Sequence, residues 1–137
     1  MQKKPGDLLK QYLNARRKTL NERPKTIKEY LEKLGQALGS KATIIVFGGR
    51  AIHGLETNEA RDLDILIVVD DTENPQDIEE LAYKLKPKHL PADIILAKKN
   101  QAKNNITRQM LRHRIVISDP LNLNKELKTH KPRERRS

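Results

Sequence analysis

Two aspartates lead directly into an aliphatic run. Asp62 and Asp64 flank Leu63, and the sequence continues as Ile-Leu-Ile-Val-Val through Val69. Because successive side chains of a strand alternate between its faces, both carboxylates are predicted to lie on one side. Carboxylates that enter a buried face are costly unless a positive charge compensates them. Two magnesium ions about 4 Å apart could do so, since carboxylates are hard oxygen ligands that can bridge such a pair.

A simpler interpretation of this pair is also available. Asp62 could cap the preceding turn and Asp64 could pair with Arg61 or Arg50, and for an isolated Asp-x-Asp this is the favoured interpretation. A third acid, Asp93, changes the balance, because it too lies near the start of an aliphatic run, Pro-Ala-Asp-Ile-Ile-Leu. Three acids so placed favour a metal cage formed by Asp62, Asp64 and Asp93. By contrast, Asp70 and Asp71 are predicted to be solvated turn residues, since they follow a strand and precede a Thr-Glu-Asn-Pro turn.

Two glycines separate a predicted strand from a predicted helical turn. Gly48 and Gly49 would let the backbone approach a ligand closely, and N–H groups at a helix start attract phosphate oxygens. Tight packing of the turn explains the glycines equally well. Arg50 is placed either to reach a phosphate or to neutralise the aspartates, and His53, before Gly54, is a candidate site residue that a position in a surface loop explains equally well.

Short aliphatic runs alternate with helical patterns from residue 42 onward. Strands are predicted at 42–47, 63–69, 92–97 and 114–117. Helices are predicted from Asn74-Pro75, with an apolar stripe from Ile78 to Leu85, at 101–113 and after Asp119-Pro120. This order predicts an α/β or α+β domain with a sheet of about four strands and helices on at least one face.

The first 40 residues are predicted to form a basic helical pair. Apolar spacing indicates one helix over 7–20 and a second that begins with the Thr26–Glu29 capping box and ends at Gly39. Residues 21–25 would join them as a hairpin, packed on or appended to the core. The domain itself is predicted at 41–128, followed by a basic disordered tail at 129–137.

The charge distribution separates the centre of the chain from its ends. The 137 residues carry a net charge of +10; residues 1–40 contribute +6, residues 41–100 contribute −3 and residues 101–137 contribute +7. The absence of cysteine excludes disulfide frameworks and thiolate chemistry. No apolar run approaches the roughly 20 residues of a membrane span, and none resembles a signal-peptide core. The expectation is a cytoplasmic, soluble protein with no membrane partner.

These motifs together resemble those of the DNA polymerase beta-like nucleotidyltransferases. Gly48-Gly49, twelve intervening residues, Asp62-Leu63-Asp64 before an aliphatic strand and a later Asp93 match the family's pattern over residues 42–97. The minimal nucleotidyltransferases and the toxin-type enzymes of abortive infection and toxin–antitoxin systems are the most similar branches. The resemblance implies a mixed sheet with helices on one face, and transfer of a nucleoside monophosphate from an NTP to a hydroxyl.

The resemblance also assigns roles to individual residues. Asp62 and Asp64 would bind two Mg²⁺ ions, with Mn²⁺ as an alternative, and Asp93 would bind the catalytic ion and help to activate the acceptor hydroxyl. Gly48, Gly49 and the following backbone would hold the β- and γ-phosphates. Many members carry Ser where Gly49 stands, so here the backbone alone is available.

The acceptor is left open by the sequence. Basic ends suit RNA or DNA, but one Phe and three Tyr leave few rings for base stacking, so a protein hydroxyl or a small molecule is equally compatible. The alternative function is a catalytically inactive nucleotidyltransferase-fold module that binds nucleic acid or a partner protein through its basic flanks. A basic nucleic-acid-binding protein without enzymatic ancestry is less favoured.

Overall fold

A computed structural model describes residues 5–56 and 62–129, with the backbone alone for 5–7, 16–22, 105–106 and 128–129. In chain order the helices and strands are α1 (Pro5–Leu38), β1 (Ala42–Phe47), α2 (Gly49–His53), β2 (Leu63–Val69), α3 (Pro75–Leu85), β3 (Ala92–Lys98), α4 (Lys99–Ala102), α5 (Asn105–Met110), β4 (Arg114–Ser118) and α6 (Leu123–Thr129). A 3₁₀ turn, Gly39–Lys41, links α1 to β1. None of the helices in these ranges is long and apolar enough to cross a membrane.

The four strands form one mixed sheet in the order β3-β2-β1-β4. β2 and β3 are parallel, whereas β1 runs antiparallel to both β2 and β4. The predicted α/β class and four-strand sheet are confirmed, and β1 and β2 have the predicted bounds. Their continuous aliphatic sequences fit this arrangement, because strands covered on both faces need apolar residues at every position.

Helices cover both faces of the sheet, although the resemblance implied one. On the face that we call the α1 face, α1 and α3 pack on Leu63, Ile65, Ile67 and Val69 of β2. On the opposite face, called the α6 face, residues of α4, α5 and α6 pack on Leu66 and Val68. The second layer arises from the segments after β3, where the apolar residues Ala102, Leu111, Leu123 and Leu127 are buried.

The predicted N-terminal helical pair is wrong, because α1 is a single helix with Pro24 inside it. The φ of proline is compatible with a helix, so a proline within one costs mainly one backbone hydrogen bond and a local bend. Residues 21–25 also contain no glycine that would favour a turn. The second half of α1 joins the core through the buried residues Ile27, Tyr30, Leu31, Leu34 and Leu38. The first half extends away with its apolar side chains exposed by 48–59%, namely Leu8, Leu9, Tyr12 and Leu13.

The predicted basic helix at 101–113 is also corrected, since the structure divides it into α4 and α5. Asn104 makes the division, because its side chain accepts a hydrogen bond from the Thr107 backbone N–H and so begins a new helix. Before α6, Asp119 accepts from the backbone N–H groups of Leu123 and Asn124. The boundaries at 40, 41 and 128 stay predictions, and residues 130–137 of the predicted tail lie outside the described residues.

Candidate active site

One row of side chains crosses the sheet where β2 and β3 begin. Asp64 pairs with Asp93 in the parallel register, and with Phe47 in the antiparallel one. Phe47 in turn pairs with Arg114 of β4. Paired residues of neighbouring strands share a face, and Phe47 packs into the α6 face. The sheet therefore carries the row Asp93–Asp64–Phe47–Arg114, with neighbouring backbones about 4.8 Å apart.

The three predicted aspartates interact electrostatically. The pKa of Asp64 is raised, first by burial and then by the negative charges of Asp93 and Asp62. Asp64 is partly buried, whereas Asp62 and Asp93 are exposed. Nowhere in the described ranges, however, does a group of three or more His, Asp or Glu side chains converge as a closed metal cage. The fold thus sets Asp64 beside Asp93, and Asp62 lies near enough for its charge to act on Asp64.

Gly48 lies against the central carboxylate. Its φ of 74° and ψ of −148° are open to glycine and strained for other residues. A Cβ atom at this position would overlap Oδ2 of Asp64 and lie 3.3 Å from its Cγ. The Gly48 carbonyl also accepts from the Ala51 and Ile52 N–H groups at 3.1 Å, which fixes the start of α2. The glycine therefore allows α2 to begin directly beside Asp64.

Arg50 is directed into the protein. Its side chain is 1% exposed, and Nη1 donates to the Leu55 carbonyl at 3.0 Å. Burial, followed by the charge of Arg23, lowers its pKa, and Asp62 opposes this decrease. The nearby Asp62 charge supports the interpretation that Arg50 neutralises an aspartate. Contact with a phosphate stays a prediction for Arg50, and Arg61, the other candidate partner, lies outside the described residues.

The remaining candidates lie at the surface or in turns. His53 is exposed at the last residue of α2. Asp70 and Asp71 are exposed after β2, as predicted, and Asp71 accepts from the Asn100 N–H at 3.2 Å. Phe47 and Arg114 were not predicted as members of the row. The available signal for Arg114 was its place as a charged first residue of an aliphatic strand, the same feature that identified Asp93.

Comparison with known proteins identifies the family. A family model described as "Nucleotidyltransferase domain" matches residues 24–118, which is more than half of the chain. The chain belongs to this nucleotidyltransferase family. The match confirms the resemblance to the polymerase beta-like superfamily and runs from Pro24 within α1 to the end of β4. The matched region therefore includes the buried half of α1.

Two further comparisons add no activity or substrate for this nucleotidyltransferase. A comparison with curated protein sequences finds no significant match. Among solved structures, a protein from Sulfolobus solfataricus that is provisionally named a nucleotidyltransferase is 17% identical with a TM-score of 0.48, over 72% of this chain and 82% of that one. A likeness this distant carries no argument about the activity of the present chain.

Proposed function

We propose that this nucleotidyltransferase transfers a nucleoside monophosphate from an NTP to a hydroxyl, with Asp62, Asp64 and Asp93 holding two Mg²⁺ ions. The observation that carries the proposal is the register of β2 and β3, which sets Asp64 beside Asp93. The charge of Asp93 adds to burial, the larger cause, in raising the pKa of Asp64. In a nucleotidyltransferase, carboxylates grouped in this way at the start of β2 and β3 would serve to bind the metal ions.

The donor set fits a divalent cation. Carboxylate oxygens are the ligands that Mg²⁺ prefers, and Mn²⁺ accepts them as well. The negative charges of Asp93 and Asp62 add to burial in raising the pKa of Asp64, and a bound cation would oppose this effect. Asp62 and Asp93 are exposed, so their side chains are free to turn toward a shared ion. When bound, the ions would supply charge neutralisation and alignment of the phosphate oxygens.

The chain's own residues would perform the remaining steps. Asp93 lies on β3 at the edge of the sheet, and its carboxylate would accept the proton of the acceptor hydroxyl. The hydroxyl oxygen would attack the α-phosphorus at the same time. The bond from the α-phosphorus to the β-phosphate oxygen breaks, and pyrophosphate leaves. Gly48 and Gly49 would hold the β- and γ-phosphates through their backbone, since Gly48 permits close approach beside Asp64.

For the acceptor we propose a polyanion such as RNA or DNA, or a protein hydroxyl. The +10 net charge supports the first. The small number of aromatic rings limits base stacking: of the four, Tyr30 is buried and donates to the Ala82 carbonyl, whereas Tyr12 and Tyr83 are exposed. The exposed Leu8, Leu9, Tyr12 and Leu13 of α1 support a protein partner, in keeping with the toxin–antitoxin resemblance. The same surface supports the second candidate function, an inactive module that binds a partner protein.

A thermal-shift titration separates the two functions. We expect Mg²⁺ with one or more NTPs to raise the melting temperature of the wild type, and Asp62→Asn and Asp64→Asn to abolish the increase. Asp77→Asn, an equal change at an exposed position in the first turn of α3, is the control and should retain it. Transfer of label from α-labelled NTPs into RNA, DNA or protein would then identify the acceptor. No NTP-dependent shift and no labelled product would contradict the enzyme, whereas partner binding unaffected by the aspartate changes would support the module.

A further inference from the structure

The guanidinium of Arg114, at one end of the row, donates to neutral hydrogen-bond acceptors. Its Nε donates to Asn124 Oδ1 at 2.7 Å and its Nη1 donates to the Leu111 carbonyl at 2.8 Å. Both acceptors are neutral. Among the side chains that the structure describes, no carboxylate lies within ion-pair distance of this guanidinium. Arg114 is therefore fixed in orientation by Asn124 of α6 and by the Leu111 carbonyl after α5, with no counter-ion among the described side chains.

Partial burial makes this arrangement costly. Arg114 is partly removed from water, and this desolvation lowers its pKa. A buried or half-buried charge destabilises a fold unless an opposite charge compensates it. The guanidinium has five N–H donors, and the two bonds named above leave the others for a further acceptor. An anion that bonds to them would supply both the missing charge and the missing acceptors.

The position of Arg114 indicates which anion this is. β1 lies between it and Asp64, so their backbones are about 10 Å apart, twice the strand spacing. Phe47 ends β1 and Gly48 follows it, so the glycine turn leaves the sheet between the two charged residues. α2 packs over the same end, against β1, β2 and β4. A molecule that extends from Asp64 across the Gly48 turn would meet Arg114 next.

We propose that Arg114 binds the terminal phosphates of the NTP. This inference rests on the proposed function and deepens it. The acceptor would enter beside Asp93, the α-phosphate would lie at Asp64, and the β- and γ-phosphates would cross the Gly48–Gly49 backbone to the guanidinium of Arg114. Because position 49 has no hydroxyl, Arg114 supplies a side-chain contact to the triphosphate from the other side of the turn. A planar guanidinium suits this task, since it can donate two parallel hydrogen bonds to one phosphate.

The test compares ligands with and without the terminal phosphates. In Arg114→Gln we expect the Kd of the preferred NTP and of inorganic tripolyphosphate, measured by calorimetry with Mg²⁺, to rise about 10- to 100-fold, the effect of one or two charge-assisted bonds. The Kd of the corresponding NMP should change less than about two-fold, because it lacks the phosphates that Arg114 would bind. A purely structural role of Arg114 would weaken NTP and NMP equally.

Two further variants guard against indirect effects. Arg112→Gln removes the same charge from an exposed position just before β4 and should leave all three affinities unchanged. Arg114→Lys keeps the charge without the planar fork and should give an intermediate loss, which preserves the test if the Gln variant does not fold.

Each remaining outcome is decisive. Equal weakening of NTP and NMP, or a weaker nucleic-acid acceptor with an unchanged NTP affinity, would overturn the role of Arg114. NTP binding that Arg114→Gln leaves intact would overturn this inference alone. Failure of the wild type to bind any NTP would overturn the proposed function and this inference with it.

Discussion

The two faces of the sheet differ along the length of a single strand. On the α1 face, β2 presents Leu63, Ile65, Ile67 and Val69, all fully buried. On the α6 face the same strand begins with Asp64 and becomes apolar only at Leu66 and Val68. One face is therefore apolar from end to end, whereas the other changes from charged to apolar within two residues.

This difference indicates that the α1 face mainly stabilises the fold, whereas the α6 face carries the candidate site. The α1 face gains hydrophobic stabilisation over its whole length, through the second half of α1 and through α3. The α6 face is covered by three short helices, and the row from Asp93 to Arg114 lies at the end of this face where β2 and β3 begin. Charged residues that violate the apolar pattern are expected at functional sites, where the rest of the fold must offset their cost. The following variants test this division, beginning with the largest expected change in stability.

Truncation on the α1 face should affect stability alone. Leu34 is fully buried in the core cluster beneath α1, so Leu34→Ala should lower the free energy of unfolding by about 2–5 kcal/mol. Leu34→Met keeps most of the volume and should cost less than about 1.5 kcal/mol. Urea denaturation measures both values. Below its melting transition, Leu34→Ala should bind NTP like the wild type, and a lost NTP affinity in the folded variant would show that the two faces are not independent.

A smaller loss of stability with a large loss of binding is expected at Gly48. Gly48→Ala places a Cβ at a φ of 74° and against Asp64 Oδ2, and strain of this kind costs about 1–3 kcal/mol. Because the displaced atom belongs to the carboxylate, Mg²⁺-dependent NTP binding should be lost. Gly39→Ala is the matched control, with a φ of 52° and nothing near its Cβ. Gly39→Ala should lose less stability, because its Cβ meets no other atom, and it should retain NTP binding. If both variants bind NTP equally well, Gly48 is not part of the site.

At Asp64 the expected change in stability is smaller and of opposite sign. Its pKa is raised in the folded protein, by burial first and then by Asp93 and Asp62. A raised carboxyl pKa means that the folded state binds the proton more tightly, so stability falls as pH rises from the ordinary pKa through the raised value. In EDTA at neutral pH, Asp64→Asn should therefore melt slightly above the wild type, and at acidic pH the difference should vanish. A neutral-pH destabilisation by Asp64→Asn would indicate that the ionised carboxylate supports the fold.

Strands and acids could be predicted from sequence because their signals are local. Each strand is a short aliphatic run bounded by turn or helix residues, and Asp64 and Asp93, each next to the first residue of such a run, are paired by the register. That Asp62, which precedes β2, lies on the same side as Asp64 stays a prediction. α1 could not be predicted correctly, because a proline that usually ends a helix is here tolerated within one. Likewise, the Asn104 cap that separates α4 from α5 lies within a sequence predicted as one longer helix.

The rest of the site depends on long-range pairing. Arg114 lies 50 residues after Asp64 in the sequence, and only the order β3-β2-β1-β4 sets it in the same row. Arg50 is one residue from Gly49, yet its inward orientation depends on the Leu55 carbonyl that accepts its hydrogen bond. Strand order and side-chain direction are tertiary facts, and neither composition nor spacing contains them.

The smallest effect is expected where charge, rather than apolar contact, joins the helices of the α6 face. Glu126 of α6 forms ion pairs with Lys99 and Lys103. Lys103 and then Lys99 lower its pKa, so this stabilisation is present above the ordinary pKa of Glu and is lost as pH falls through the lowered value. Glu126→Gln should destabilise the protein far less than Leu34→Ala, and 1 M salt should remove the difference from the wild type because salt screens exposed charges.

Glu79→Gln, an exposed change on α3, should have no effect in urea denaturation at either salt concentration. A salt-insensitive loss at Glu126 as large as that at Leu34 would mean that the α6 face also depends on a buried network, and the division between a stabilising face and a functional one would have to be abandoned.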